Sequence, residues 1–177
     1  QELAYDREGF WRNYWQKHSV DREEFIDLDI YPIELTLKYS RKTDRILECG
    51  FGAGRVIRHL TKHGYQVQGV EYDPEVVDQL RCVEPGLNVQ QGDICNLPYL
   101  DGSFDVSLCF GVVGGLESKT GAALRELKRV TRAGGMILVS VMLDNKARWA
   151  QRLLNRLQRG ERRFYAWIDS PDGWQNY

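Results

Sequence analysis

Histidine and cysteine are scarce in this chain, and their spacing excludes the common metal-binding patterns. There are three histidines and four cysteines among 177 residues, and no two cysteines form a Cys-x-x-Cys pair. A structural zinc site needs about four such ligands at characteristic spacings, so we predict no metal. Three of the four cysteines lie in or beside apolar runs, which favours small buried side chains in a reducing compartment over disulfides. The four are Cys49, Cys82, Cys95 and Cys109.

The chain also lacks long apolar runs and an excess of either charge. No run approaches the roughly 20 residues that a membrane-spanning helix requires. The formal net charge of −1, from 24 basic and 25 acidic residues, argues against a broad nucleic-acid or membrane surface. The polar start, QELAYDREGFW, is unlike a secretory signal peptide, so we expect a cytoplasmic protein. A length of 177 residues is typical of one domain with a sizeable core.

What the sequence does contain is a β–α–β pattern from residue 45 to residue 71. The apolar run 45–49 predicts a buried strand, and three glycines follow it at every second position, at 50, 52 and 54. A helical pattern then ends near Gly64, and a second apolar strand ends in Glu71. A turn built of glycines lets a ligand approach bare backbone N–H groups at a helix N-terminus, and the acidic residue can bind a ribose diol.

The glycine spacing separates two kinds of cofactor. A dinucleotide fingerprint, G-x-G-x-x-G, places its third glycine where this chain has Arg55. The observed pattern, E-x-G-x-G-x-G, resembles the first motif of the class I S-adenosylmethionine-dependent methyltransferases. By that resemblance Glu71 binds the ribose, Glu48 lies near the amino end of the cofactor, and Arg55 is a candidate for its carboxylate. The glycines that shape the loop are then Gly50, Gly52 and Gly54.

Further along, three stretches match the same family. Tyr72, directly after the ribose acid, is placed to lie against the adenine. The turn Gly92-Asp93-Ile94 resembles the family's adenine site, in which Asp93 contacts the exocyclic amine and Ile94 packs on the ring. A fourth strand opening with F-D-V runs into Phe110-Gly111, which by resemblance lies under the sulfonium. The segment L-K-R-V-T-R-A-G-G-M-I-L-V-S matches the helix, turn and fifth strand of the family.

Two features leave the chemistry of catalysis open. Many family members carry a polar side chain near Gly114 or Gly115, where this chain has two glycines, so the catalytic residues stay unknown. His59 and His63 lie four residues apart at the end of the first helix of the β–α–β unit, without a third ligand nearby. Interaction with that helix C-terminus explains them better than a metal does.

The segment before the β–α–β unit predicts a helical cap, and the end of the chain predicts a fifth strand with an uncovered apolar edge. Residues 1–40 are expected to form the cap and residues 41–177 the cofactor-binding core. Residues 5–18 carry a wide aromatic helical face, which either packs on the core or forms a lid in which Tyr14 hydrogen-bonds the cofactor. The sequence predicts only five strands, so we expect the last strands of the family fold to be missing. An apolar fifth-strand edge is avoided in nature, so we expect a truncated chain, or cover from the C-terminal segment, a homodimer or another partner.

The sequence therefore predicts an α/β protein with a Rossmann-like, doubly wound, mostly parallel sheet and helices on both faces. The resemblance implies methyl transfer from S-adenosylmethionine to a small-molecule, sugar or lipid-type acceptor, with no nucleic-acid partner and S-adenosylhomocysteine as product. One alternative is a catalytically weak scaffold or binding domain of the same fold. A second is a nicotinamide-dependent oxidoreductase, which Arg55 at the third glycine position disfavours.

Overall fold

A computed structural model describes residues 30–142 and 163–169 of the chain. Its centre is a six-stranded sheet of order β3-β2-β1-β4-β5-β6 in which all neighbouring strands are parallel. The strands are β1 (Arg45–Cys49), β2 (Gln66–Glu71), β3 (Val89–Gln91), β4 (Phe104–Phe110), β5 (Thr131–Met142) and β6 (Arg163–Asp169). The helices are α1 (Ile30–Tyr39), α2 (Arg55–Lys62), α3 (Pro74–Val83) and α4 (Thr120–Val130), with short 3₁₀ turns at Val113–Gly115 and Glu117–Lys119.

The order of the strands places a crevice beside β1. From β1 the chain moves outward to β2 and β3, then returns and adds β4 on the other side of β1. Because the connections from β1 and β4 leave toward opposite sides, the carboxyl ends of these two strands diverge there. Ligands of open parallel sheets bind at such a switch point.

The core forms two apolar layers, one on each face of the sheet. Successive residues of β1 point to opposite faces, so Ile46 packs with α2 and α3 while Leu47 packs with α4. The apolar residues of α2 recur at the period of the helix, so they share one face, and this face is buried against the sheet. Ile57 and Leu60 are fully inaccessible. Burying a side chain of that size contributes about 1.5–3 kcal/mol. These two layers hold the crevice rigidly between β1 and β4.

The sixth strand is the main departure from the sequence expectation. The count of five is one short, because β6 pairs with β5 over seven residues, from Met136 with Arg163 to Met142 with Asp169. The C-terminal segment thus covers the β5 edge, which was one of the three alternatives for protecting it. The predicted turn at Gly134-Gly135 is instead an irregularity early in β5, where the register with β4 shifts. A side chain at Gly135 would meet the Asp105 carbonyl oxygen at 2.6 Å, so the backbones approach closely there.

Pro32 occupies the first turn of α1, where its missing N–H is not needed, and the Thr36 hydroxyl donates to the Pro32 carbonyl at 2.7 Å. The aromatic face at 5–18, with Tyr14, lies outside the described residues. So does the run 145–159, whose apolar spacing predicts an amphipathic helix.

Candidate cofactor site

The loop after β1 is shaped by three glycines in the left-handed region. Their φ angles are 74° at Gly50, 49° at Gly52 and 74° at Gly54, values that residues other than glycine rarely adopt. The Gly50 N–H donates to the Val70 carbonyl at 2.7 Å, which ties the start of the loop to β2. Gly54 then occupies the N-cap of α2, supplies no side-chain cap, and donates its own N–H to the Phe51 carbonyl at 2.7 Å. The loop is thus fixed by its own backbone hydrogen bonds, and the approach of a ligand to this backbone stays a prediction.

Glu71, at the end of β2, is held by the backbone of this loop. Its Oε2 accepts the Gly52 N–H at 3.0 Å, and its Oε1 accepts the N–H groups of Tyr72 at 2.7 Å and Asp73 at 3.3 Å. Burial raises the pKa of this carboxyl, and the three hydrogen bonds only partly offset the rise. The carboxylate has about four acceptor sites and these N–H groups use three of them, so a site on Oε2 remains for a ribose hydroxyl.

Glu48 and Arg55 flank the two ends of the glycine loop. Glu48 is the fourth residue of β1, lies between Gly69 of β2 and Leu108 of β4, and is only 5% exposed. A carboxylate so deeply placed at a switch point is suited to a ligand cation. Arg55 is the first residue of α2 and is half-buried. The structure thus places both residues beside the loop, as expected.

The residues predicted to contact adenine follow β2 and β3, and Tyr72 is 50% exposed beside Glu71. Asp93 makes a tight turn in which its Oδ1 accepts the Cys95 N–H at 2.8 Å and its carbonyl accepts the Asn96 N–H at 2.9 Å. Ile94 is 7% exposed within the core layer that α4 covers. Since β2 and β3 are adjacent and parallel, their ends bring Tyr72 and Asp93 to the same side of the crevice.

The end of β4 supplies the opposite wall of the crevice. Phe110 is half-buried, and Gly111 has a φ of 73° with its N–H donating to the Ser140 hydroxyl at 2.8 Å. A methyl group at Gly50 would collide with Val112, so the β4 loop packs directly on the glycine loop. Val112 and Ser140 were missed by the sequence analysis, because no local pattern indicates contacts between residues so far apart.

The remaining candidates for chemistry lie elsewhere. His59 and His63 stack at the C-terminal end of α2, 4.1 Å between ring centroids, and the His63 Nδ1 contacts the His59 carbonyl at 2.7 Å. This is the predicted interaction with the helix end. Across the part of the chain that the structure describes, no three side chains cluster as metal ligands, and no helix is long and apolar enough to cross a membrane.

Two buried cysteines lie at the carboxyl ends of β1 and β4, within the core. Cys49 ends β1 and Cys109 lies next to last in β4, and both thiols are fully inaccessible. Burial raises the pKa of both thiols, that of Cys109 to about 12. They are therefore packed as neutral hydrophobic side chains, as predicted, and are unsuited to act as nucleophiles.

Comparison with known proteins identifies the family that carries this site. A family model described as "Methyltransferase domain" matches residues 47–139, which run from within β1 to within β5 and include the glycine loop and Glu71. Demethylmenaquinone methyltransferase of Beutenbergia cavernae is 33% identical over 102 residues, covering 57% of this chain and 42% of the relative. Malonyl-acyl-carrier protein O-methyltransferase of Serratia marcescens is 31% identical over 125 residues, covering 70% of this chain and 48% of the relative.

The same relationship is seen in solved structures. A TehB-like S-adenosylmethionine-dependent methyltransferase from Corynebacterium glutamicum superposes with a TM-score of 0.59 at 27% identity, covering 72% of this chain and 70% of that one. The chain spans less than half of the length of the two curated relatives above, at 42% and 48%.

Proposed function

Because the chain belongs to the methyltransferase-domain family, whose cofactor is S-adenosylmethionine, we propose that it transfers a methyl group from S-adenosylmethionine to a small acceptor. The observation that carries the proposal is the Glu71 carboxylate joined to the Gly52 N–H at 3.0 Å. In our proposal this carboxylate, held against a loop of left-handed glycines, is the ribose-binding acid. This combination suits an adenosyl ligand whose other end passes over bare backbone.

We assign each part of the cofactor to different residues around the crevice. In our proposal Glu71 binds the ribose hydroxyls, and Asp93 accepts the exocyclic amine of an adenine lying between Tyr72 and Ile94. Glu48 and Arg55 bind the ammonium and carboxylate of the methionine part, at opposite ends of the loop. Phe110 and Gly111 line the position of the sulfonium, which supplies an activated methyl group. The protein then has only to align a nucleophile in line with that group, which can contribute roughly 7 kcal/mol or more.

For the acceptor, we propose a small molecule, a sugar or a lipid-type compound. In their names, the two curated relatives act on a quinone precursor and on a carrier-bound malonyl group, which are different acceptors. The balanced charge of the chain gives no support to a nucleic-acid acceptor. Residues 111–116, which follow β4, are glycine, valine and leucine only and carry no ionisable side chain. An acceptor that is already nucleophilic, such as a carboxylate, needs no base from this loop.

The first experiment is isothermal titration with S-adenosylhomocysteine, with NAD as the control ligand. We expect micromolar binding of S-adenosylhomocysteine alone. Screening of acceptors with labelled S-adenosylmethionine follows, in which a carboxylate, a quinone and a sugar distinguish the proposed classes. Binding of NAD and not of S-adenosylhomocysteine would overturn the proposal in favour of an oxidoreductase.

The apolar β4 loop also favours a second function, a methyltransferase-like scaffold with little turnover. Glycines at 114 and 115 leave no group in that loop to orient or deprotonate an acceptor. The scaffold predicts cofactor binding without methyl transfer to any acceptor class. Turnover on one acceptor, abolished by the same variants that abolish cofactor binding, would exclude it.

We further propose that residues 1–40 serve as a cap over this site, with Tyr14 hydrogen-bonding the cofactor. The proposal rests on the aromatic face of 5–18, which needs an apolar surface to cover it. A Tyr14→Phe variant should bind S-adenosylhomocysteine several-fold more weakly, whereas Tyr39→Phe, in α1, serves as the matched control. Equal affinity of Tyr14→Phe and the unaltered protein would remove Tyr14 from the site.

A further inference from the structure

The segment between β3 and β4 carries two cofactor residues but has almost no regular structure of its own. Across 92–103 the structure contains one isolated bridge, between Asp93 and Asn96. Segments of this kind are held only by the contacts they make with rigid elements. The contacts that hold this segment therefore decide where Asp93 and Ile94 lie.

One ion pair on α4 binds the backbone of this segment on both sides of Leu97. The Glu126 Oε2 accepts the Leu97 N–H at 2.7 Å, and the Arg129 Nη2 donates to the Leu97 carbonyl at 3.0 Å. The Arg129 Nη1 donates to the Tyr99 carbonyl at 2.7 Å and to the Asp101 Oδ1 at 2.9 Å. Leu97, 3% exposed, is three residues after Ile94, so its place fixes the start of the turn as well.

The pair is itself well suited to act as a rigid support. Two guanidinium nitrogens of Arg129 donate to the two oxygens of Glu126, each at 2.7 Å, in a fork that lysine cannot reproduce. These hydrogen bonds lower the pKa of Glu126, so the carboxylate stays charged at neutral pH. The Glu126 side chain is 17% exposed and that of Arg129 is 30% exposed, which limits their motion while leaving the charges partly solvated.

We propose that Glu126 and Arg129 are positioning residues for the adenine side of the cofactor site. They hold the backbone of Leu97 and Tyr99, and through it they set the turn that presents Asp93 and Ile94. Neither residue touches the cofactor in this proposal. It rests on the proposed function, because it assumes that an adenine lies against that turn.

The test compares two ligands that differ at the exocyclic position of the purine and at the neighbouring N1. S-adenosylhomocysteine carries the exocyclic amine, and S-inosylhomocysteine carries an oxygen in its place and a hydrogen on N1. In the unaltered protein we expect the first to bind at least tenfold more tightly, since the oxygen would face the Asp93 carboxylate where the amine donates to it. In Arg129→Lys, which keeps the charge and loses the fork, this ratio should fall toward one. Arg132→Lys is the matched control, because Arg132 pairs with Asp105 near the amino end of β4, at the other end of the strands from the site.

Each outcome decides something. If the unaltered protein binds no S-adenosylhomocysteine, the proposed function fails and this inference fails with it. If the unaltered protein binds and Arg129→Lys keeps the full ratio, the inference alone is overturned. A fall of the ratio in Arg129→Lys, with Arg132→Lys unchanged, supports it, since a general loss of stability would weaken both ligands equally.

A second pair of variants keeps the test decisive if Arg129→Lys does not fold. Glu126→Gln retains one oxygen for either the Leu97 N–H or Arg129 and should lower the ratio in the same direction. In the combined variant Asp93→Asn/Glu126→Gln the two effects should not add, because both act on the same contact. Full additivity of the two changes would contradict the positioning role.

Discussion

The Glu71 carboxylate and the Gly52 N–H meet at 3.0 Å, and this contact joins the end of β2 to the loop after β1. The acid that we propose to bind the ribose is thus held against the glycine loop before any ligand arrives. A site whose parts are already held together loses less conformational freedom on binding. The contact also means that a change at either residue affects the loop and the ligand together.

Replacing Glu71 with glutamine should weaken cofactor binding at least tenfold. The amide has one acceptor oxygen in place of two, so it cannot serve the diol and the N–H groups of Gly52, Tyr72 and Asp73 together. A hydrogen bond to a charged group contributes about 1.5–3 kcal/mol, and about 1.4 kcal/mol corresponds to tenfold. Titration calorimetry with S-adenosylhomocysteine measures the change.

The pH dependence of binding, compared between the unaltered protein and Glu71→Gln, provides a control. Because the pKa of Glu71 is raised by burial, the carboxyl of the free protein gains its proton earlier than usual as the pH falls. Affinity in the unaltered protein should decline through that range, and Glu71→Gln should lack the decline. A decline of equal size in both proteins would assign the titrating group elsewhere.

Replacing Gly52 with valine should abolish detectable cofactor binding. A β-branched residue at a φ of 49° is strained by about 1–3 kcal/mol, so the loop should lose the backbone conformation that holds the Gly52 N–H against Glu71. Gly64→Val is the matched control, because Gly64 also has a positive φ, 82°, and no atom within 4 Å of an added Cβ. Both variants should lose stability in thermal unfolding, but only Gly52→Val should lose the ligand.

The contact between Gly50 and Val112 should appear as coupling between two substitutions. Gly50→Ala drives a methyl group into Val112 as well as straining a φ of 74°. Adding Val112→Ala removes the collision but not the strain, so part of the lost free energy of unfolding should return. A double-mutant cycle by urea denaturation measures the coupling, which we expect at roughly 0.5–3 kcal/mol. Simple additivity would show that the β4 loop can move away from the glycine loop.

Acid should destabilise the protein through Asp105, which lies near the amino end of β4, at the other end of the strands from the site. Burial raises the pKa of this carboxyl, but hydrogen bonds from Arg45 and Arg132 outweigh burial and hold the pKa well below its usual range. A depressed pKa in the folded state gives stability that is complete above the unfolded value of about 3.9 and is lost as the pH falls through the folded value.

Arg132→Met tests this assignment by urea unfolding from pH 7 down to about pH 2, below the unfolded value. The free energy of unfolding should fall by about 1 kcal/mol at neutral pH, where the half-exposed arginine is screened by solvent. The loss should shrink as the pH falls and Asp105 takes up its proton. Arg81→Met is the control: it removes a pair with Asp78 at 3.9 Å and a hydrogen bond to the Val89 carbonyl at 2.8 Å, so it should lower the free energy of unfolding by a nearly constant amount over this range.

Much of the core was predictable because its signals are local. The strands ending at Cys49, Glu71 and Phe110 were predicted to within two residues at each end, since a buried parallel strand is a continuous apolar run. The glycine loop followed from spacing alone, because only glycine tolerates those φ angles without strain. The roles of the single cofactor residues stay predictions, since no ligand contact tests them.

Other features depend on residues far apart in the chain and had no local signal. Arg129 reaches Leu97 and Tyr99 across about thirty residues, and Ser140 reaches Gly111 across 29. In the sequence, Glu126 and Arg129 read as ordinary charged positions of an amphipathic helix. The run 163–169 is rich in aromatic residues, but it is a strand only because the β5 edge is available to pair with it.

The sequence by itself determined the alternation of strands and helices, the left-handed loop and the acid at the tip of β2, because each follows from the chemistry of residues close together in the chain. Tertiary structure alone decided which charged side chains hold the segment carrying Asp93, how the β4 loop packs on Gly50, and what covers β5. Those contacts join elements that meet only when the sheet closes, so their energies depend on distances that no sequence pattern records.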